Sequence, residues 1–225
     1  MSALESVAKA RALYYDFFAG LFLYELLHSR ASLLLEQVRI LKSNPFSESD
    51  SVHFALLEST LESSGVRDIL EEYTRCFLLP FTPPSSSASM LERRKKRALS
   101  RDVSEDSKGA GGQIMLYLSH YKEGCLNGAA LLRAKELVRQ SSFRLNKEEC
   151  KESEEHLGFL LLLMRHLLLS SDENDKILSV EVANELALPL GQYVSEALMQ
   201  REDLRYYAGV GELLGGFLQV ELALL

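Results

Sequence analysis

The segment between residues 157 and 169 is almost wholly apolar and constrains the fold more than any other feature, since only Arg165 and His166 carry polar side chains there. A helix that is apolar on nearly every side has to be buried. Its apolar run falls short of the ~20 residues that a membrane-spanning helix needs, so we predict a buried central helix. The residues directly before it include Glu152, Glu155 and His156, which we place on its first turns, where the helix dipole favours carboxylates. This arrangement suggests a binding surface beside the core.

Length and composition indicate an ordinary globular chain. The chain has 225 residues, of which 47% are hydrophobic and 25% are charged, which is typical of folded domains and not of disordered ones. A chain of this length can fold around a single hydrophobic core, and it can also form two closely packed halves. We predict a single domain over 1–225, with an N-terminal part at about 1–145 and a C-terminal part at about 146–225.

Charge and cysteine content exclude several classes of protein. A net charge of −7 disfavours a nucleic-acid binder, because phosphate binding requires a basic face. Three cysteines without a C-x-x-C pair indicate neither a disulfide framework nor a zinc ribbon. The N-terminal residues include charges where a secretory signal would be uninterruptedly apolar, so we expect a cytoplasmic protein that is not exported by itself and does not insert into a membrane.

Helical spacing recurs through most of the chain. We predict a first helix from a capping box at Ser2 to about His28 and another helix from a cap at Asp50 to near Gly65. An apolar stripe then follows a helical period, with members Val66, Ile69, Leu70, Tyr73 and Phe77.

Later segments continue the helical pattern after a polar connection. Prolines and serines indicate a long exposed connection at about 80–112, within which the basic run 93–97 is interpreted as solvated. Beyond it we predict helices at 114–121 and 129–138, with Asn127 as a cap between them, and a stretch at 177–199 that Pro189 interrupts. Strand alternation is absent from the sequence pattern. The predicted fold is an all-α bundle of about nine helices.

The acidic cluster allows more than one interpretation. Glu152 and His156 are four residues apart with Glu155 beside them, a spacing from which a helix could bind a metal ion. It matches neither Glu-x-x-His nor His-Glu-x-x-His, so we predict no metal site and no cofactor. The alternative is that these residues form only the solvated start of a helix whose remainder packs in an ordinary core, without a binding role.

Several motifs together resemble the TorD/DmsD/NarJ family of chaperones that mature molybdopterin oxidoreductases. One is the segment 72–80, Glu-Tyr-Thr-Arg-Cys-Phe-Leu-Leu-Pro, with Pro83-Pro84 and serines after it. The segment 152–164 is similar to the family's acidic-His-Leu-Gly helix start. In the segment 186–218 the spacing of Pro189, the tyrosines and Phe217 is similar to that of the family's C-terminal part. Glu155 stands where the family has Asp, and the chain has no Trp, which indicates a divergent member.

The resemblance implies a TorD-like fold and a chaperone that is not an enzyme. It would bind the catalytic subunit of a formate dehydrogenase, dimethyl sulfoxide or trimethylamine N-oxide reductase, or nitrate reductase, often through its twin-arginine signal peptide, and would assist cofactor insertion before export. Such a protein could be a monomer or a helix-swapped dimer. The alternatives are a small helical enzyme that binds a metal or a nucleotide, and a helical adaptor.

An acidic helical protein with an apolar groove complements a peptide that carries two cations followed by an apolar segment. As a hypothesis, such a peptide binds near the hinge between the two helical parts, with His156 adding pH sensitivity near neutrality. The candidate client-binding residues are Tyr73, Phe77, Pro80, Pro83, Pro84, Glu152, Glu155 and His156.

Overall fold

The computed structural model describes residues 3–79, 112–145 and 150–225. Within them the chain is helical without a named strand, so the all-α prediction is confirmed. The α-helices are α1 (Ala3–Phe22), α2 (Tyr24–Ser29), α3 (Ala31–Lys42), α4 (Glu48–Ser64), α5 (Arg67–Tyr73), α6 (Leu118–Glu123), α7 (Ala129–Gln140), α8 (Leu157–Leu169), α9 (Glu173–Val182), α10 (Leu188–Met199) and α11 (Tyr207–Leu224). Single π-helical turns follow α5 (Thr74–Leu78) and α9 (Ala183–Ala187). The predicted cap at Ser2, the basic run and nearly all of the predicted connection lie outside the described residues.

The apolar helix α8 is central, as predicted. Nine of its residues are buried, and it packs along α1. Gly158 permits the closest approach, because a Cβ there would lie 2.4 Å from Leu23 Cγ and 3.1 Å from the Phe22 carbonyl oxygen. The other elements surround this pair, with α10 against α11 and α3 against α4.

The predicted first helix is divided at Leu23, whose backbone is extended. The carbonyls of Leu21 and Phe22 accept hydrogen bonds from the hydroxyls of Tyr207 (2.7 Å) and Tyr73 (3.3 Å). In a continuous helix these carbonyls would instead accept from backbone N–H groups four residues later. Tertiary contacts with distant tyrosines therefore accompany the break, which local spacing does not reveal.

Two predicted caps differ from the structure. Ser47 caps α4, and Asp50 is the third helical residue of a reciprocal capping box, while the predicted end at Gly65 is confirmed. Asn127 does not cap α7. The first N–H groups of α7 instead donate to the Glu123 carboxylate, at 2.8 Å from Ala129 and 3.0 Å from Ala130.

The prediction of a helix from residue 114 to 121 is half wrong. Residues 112–116 belong to no helix, Tyr117 has an extended backbone and pairs with a distant residue, and α6 begins only at Leu118; we call 112–117 the extended segment. An isolated antiparallel bridge pairs Tyr117 with His156, and the N–H of Leu157 donates to the carbonyl of Leu116 at 2.8 Å. The extended backbone is fixed by pairing with the start of α8, a long-range contact that outweighs local helical spacing.

Pro189 is accommodated by the π-helical turn that precedes α10. Proline has no N–H, so the carbonyl four residues earlier, that of Glu185, loses its intrahelical donor. The ammonium group of Lys122 donates to this carbonyl at 3.0 Å. The predicted interruption is thus a local change of pitch between α9 and α10.

A buried carboxylate begins the last helix. Glu72 is 2% exposed and accepts hydrogen bonds from the N–H groups of Arg205, Tyr206 and Tyr207 at 2.7–2.8 Å. The N-terminal N–H groups of a helix have no intrahelical acceptor, and the helix dipole favours an anion there. Glu72 on α5 therefore fixes the start of α11.

We expect Glu72→Gln to lower the free energy of unfolding by about 2 kcal/mol, because an amide cannot accept from all three donors as a carboxylate does. Urea unfolding followed by circular dichroism measures the change. Glu71→Gln, at an exposed neighbouring position, is the matched control. Equal midpoints for the two variants would show that Glu72 does not stabilise α11.

Candidate functional site

The acidic segment before α8 is not helical. Residues 151–155 form a turn, and His156 is the N-cap of α8. The prediction that Glu152, Glu155 and His156 lie on the first helical turns is therefore wrong. Pairing of residue 117 with residue 156 holds the backbone extended at that point, so the three side chains do not share a helix face.

Glu155 is completely buried and joins three segments. One carboxylate oxygen accepts from the N–H (2.7 Å) and the hydroxyl (2.5 Å) of Ser119, and the other accepts from the N–H of Asn127 (3.1 Å). The Ser119 hydroxyl in turn accepts from the N–H of Gly128 at 3.0 Å. Glu155 thereby fixes the start of α6 and the loop before α7 to the turn that precedes α8.

His156 is also buried, with 2% of its surface exposed. Its Nδ1 accepts from the N–H of Gly158 at 3.1 Å, and its ring meets that of Tyr117 edge-on at 5.0 Å. Burial lowers the pKa of His156 to about 3. The expected titration near neutral pH is therefore wrong for the folded protein, in which this ring is neutral.

Four of the predicted site residues line one pocket where the N-terminal and C-terminal parts meet. They are Tyr73, Phe77, Glu152 and His156, and they face the extended segment 113–117 across a free volume of about 30 Å³. Glu155 does not line this pocket. Pro80, Pro83 and Pro84 lie outside the described residues.

Aromatic rings form part of the pocket lining. Phe77 packs against Tyr73 and Tyr207 with ring centroids 4.9 Å and 5.0 Å apart. Burial, and then the negative charges of Glu152 and Glu25, raise the pKa of Tyr73 far above its usual range. Tyr73 therefore stays a neutral hydrogen-bond donor beside a region of negative potential.

Sequence reasoning missed several lining residues, which are Leu78, Gln113, Ile114, Met115, Leu116 and Tyr117. Ile114 and Leu116 are buried, and the alternate residues are more exposed. This alternation is one of burial and is not visible in the sequence Gln-Ile-Met-Leu-Tyr, in which apolar and polar residues do not alternate, so the sequence offered no signal against a helical assignment. Tyr117 is the important omission, because its hydroxyl donates to Glu152 at 2.5 Å.

Two further features bear on the choice of site. A larger and shallower depression of about 620 Å³ lies along α7 and includes residues of both charges, among them Arg133, Lys135, Glu136 and Glu154. Among the described residues, no group of three or more His, Cys, Asp or Glu side chains is arranged to hold a metal ion. Of these two pockets, the first combines aromatic side chains with a single carboxylate among its described lining residues.

We expect Glu155→Gln to destabilise the fold by about 1–3 kcal/mol, because the new amide group places N–H donors against the N–H of Asn127 or against Ser119. Chemical denaturation at neutral pH measures the loss. Glu154→Gln removes the same charge at the adjacent position and is the control. A variant at 155 as stable as that control would contradict this role.

The pH dependence of stability provides a separate test of His156. Because its pKa is about 3 when folded and near 6.5 when unfolded, its contribution to stability is present above pH 6.5 and is lost as the pH falls towards 3. We expect His156→Asn, which retains a capping oxygen, to lose this component, which is at most about 1.4 kcal/mol per pH unit. Unfolding at pH 7, 6, 5 and 4 measures it, with exposed His120→Asn as control. Parallel pH profiles of wild type and His156→Asn would contradict the assignment.

Comparisons with known proteins complete the description of the site. Within the described part of the chain, none of the helices has the length and apolarity that crossing a membrane requires. Searches of curated proteins and of solved structures gave no significant match. The family described as nitrate reductase delta subunit matches residues 107–205, which include the extended segment, the turn before α8 and α10. Together with the all-α fold, this match confirms the resemblance found in the motifs: over less than half of its length, the chain is similar to the nitrate reductase delta subunit family of TorD/NarJ-type redox-enzyme maturation chaperones.

Proposed function

We propose that this chaperone binds an N-terminal segment of a molybdopterin oxidoreductase catalytic subunit in the cytoplasm, and that it holds this client until its cofactor is inserted. The client is of the formate dehydrogenase, dimethyl sulfoxide or trimethylamine N-oxide reductase, or nitrate reductase type. The bound segment is its twin-arginine signal peptide, and export follows release. Chaperone action by binding requires no catalytic group in this chain.

The observation that carries the proposal is the composition of the pocket lining. Among the described lining residues, Glu152 is the only acidic or basic side chain apart from His156, whose ring is neutral. The aromatic rings of Tyr73 and Phe77 lie beside it, and Leu78 at the rim is 48% exposed. A lone carboxylate next to apolar surface complements a cationic side chain followed by apolar residues.

The residues of the site divide into two roles under this proposal. Glu152, Tyr73, Phe77 and Leu78 contact the client, because they line the pocket. Glu155 does not line the pocket and His156 is almost fully buried within the lining, so both are assigned the role of positioning the turn that carries Glu152. The prolines at 80, 83 and 84 are proposed to extend the same surface.

Electrostatics and apolar burial contribute differently to such binding. The net charge of −7 steers a cationic peptide towards the protein, and the Glu152 carboxylate selects a guanidinium group over a neutral side chain. Burial of apolar side chains against Leu78 and the aromatic rings supplies most of the affinity, at about 25 cal/mol per Å². Salt should therefore weaken the arginine preference more than the total affinity.

Peptide binding tests the proposal. The probe is a synthetic peptide with two consecutive arginines before ten apolar residues, and its partner peptide has both arginines replaced by glutamine. We expect Leu78→Ser to weaken binding of both peptides by about three- to tenfold, since it removes exposed apolar contact area at the rim. Glu152→Gln should weaken binding of the arginine peptide alone. Isothermal titration calorimetry at low and physiological salt measures both effects.

Leu132→Ser is the matched control for Leu78→Ser, because Leu132 is 69% exposed and lies on α7 in the shallower depression. It should bind both peptides as the wild type does. Absence of saturable binding to the wild type, or equal losses in the two serine variants, would remove the pocket as the client site. Co-purification from the native cell, scored for partners with twin-arginine leaders, identifies the client.

A further inference from the structure

One side chain of the pocket lining already holds the Glu152 carboxylate in the described structure. Tyr117 lies at the end of the extended segment, where its ring meets that of His156 and its hydroxyl donates to Glu152 Oε2 at 2.5 Å. The free volume of about 30 Å³ accommodates one or two water molecules, which is too little for an arginine side chain. Binding of a cationic residue at Glu152 therefore requires Tyr117 to move.

We propose that the Tyr117 hydroxyl competes with the cationic side chain of the bound peptide for the Glu152 carboxylate, so that Tyr117 sets the affinity and the arginine selectivity of the pocket. This inference rests on the function proposed above. It assigns a specificity role to a residue that the sequence analysis did not identify as part of the site.

The chemistry of the two donors supports competition. A guanidinium group pairs best with a carboxylate through two parallel N–H···O bonds, which use both carboxylate oxygens. One of those oxygens already accepts the phenol hydroxyl. Burial and the hydrogen bond to Glu152 raise the pKa of Tyr117 above its ordinary value, so the hydroxyl retains its proton and remains a donor near neutral pH. The two donors cannot hold the same oxygen in their best geometry together.

The position of Tyr117 also allows it to leave. It is only partly buried, whereas Ile114 and Leu116 on either side of Met115 are buried and anchor the backbone. The N–H of Ile114 donates to the carbonyl of Cys76 at 2.9 Å, and the carbonyl of Leu116 accepts from Leu157. A change in the side-chain rotamer of Tyr117 would thus both free Glu152 and enlarge the pocket without movement of the backbone.

The test removes the hydroxyl and keeps the ring. In titration calorimetry with the two peptides described above, we expect Tyr117→Phe to bind the arginine peptide about three- to tenfold more tightly than the wild type, since one hydrogen bond to a charged group no longer has to be broken. Its affinity for the glutamine peptide should be unchanged. In a Glu152→Gln background, Tyr117→Phe should have no effect on the arginine peptide.

The control variant is Tyr121→Phe, because Tyr121 donates to the carbonyl of Met115 at 2.9 Å and does not line the pocket. It should leave both affinities unchanged. If Tyr117→Phe binds the arginine peptide as weakly as the wild type or more weakly, the hydroxyl does not compete and instead orients Glu152, and the inference fails while the proposed function stands. If neither wild type nor variant binds either peptide, the inference and the proposed function fail together.

Discussion

Burial of α8 is the constraint on which the rest of the structure depends. Its apolar side chains leave no solvated face, so the helix lies in the core along α1, and its first N–H groups need acceptors inside the protein. The Leu116 carbonyl and His156 Nδ1 supply two of them. The extended segment 112–117 therefore helps to fix the position of the central helix. The pocket lies where that segment meets the end of α5 and the π-helical turn after it.

Buried carboxylates connect parts of the chain that are distant in sequence. Glu155 holds Ser119 and Asn127, and Glu72 holds the start of α11. Glu221 on α11 accepts from Arg11 at 2.7 Å and from Tyr15 at 2.6 Å on α1. Each is satisfied by several donors, which is the condition under which a buried charge is tolerated. Glu155, which belongs to the acidic motif, thus serves the fold, and the function proposed above assigns ligand binding to the carboxylate of Glu152.

Agreement between prediction and structure follows the range of the interactions involved. The stripe that ends at Tyr73 and Phe77 is buried as predicted, and α4 ends at Gly65, because periodicity and a glycine terminus act within a few residues. The assignments at Leu23, at residues 114–117 and at Asn127 were wrong for a common reason. In each case the backbone is held by partners far along the chain, namely Tyr207, Leu157 and Glu155.

The sequence by itself determined the all-α class, the buried central helix and the resemblance to a chaperone family, because apolar periodicity and clustered motifs are local properties of the chain. It also indicated that Tyr73, Phe77, Glu152 and His156 belong to one site. Only the tertiary structure decided what each of them does. Burial makes His156 neutral, three donors engage Glu155, and pairing with the start of α8 brings Tyr117 against Glu152. Exposure, protonation and access to a ligand depend on which distant segments pack around a side chain, and local pattern does not contain that information.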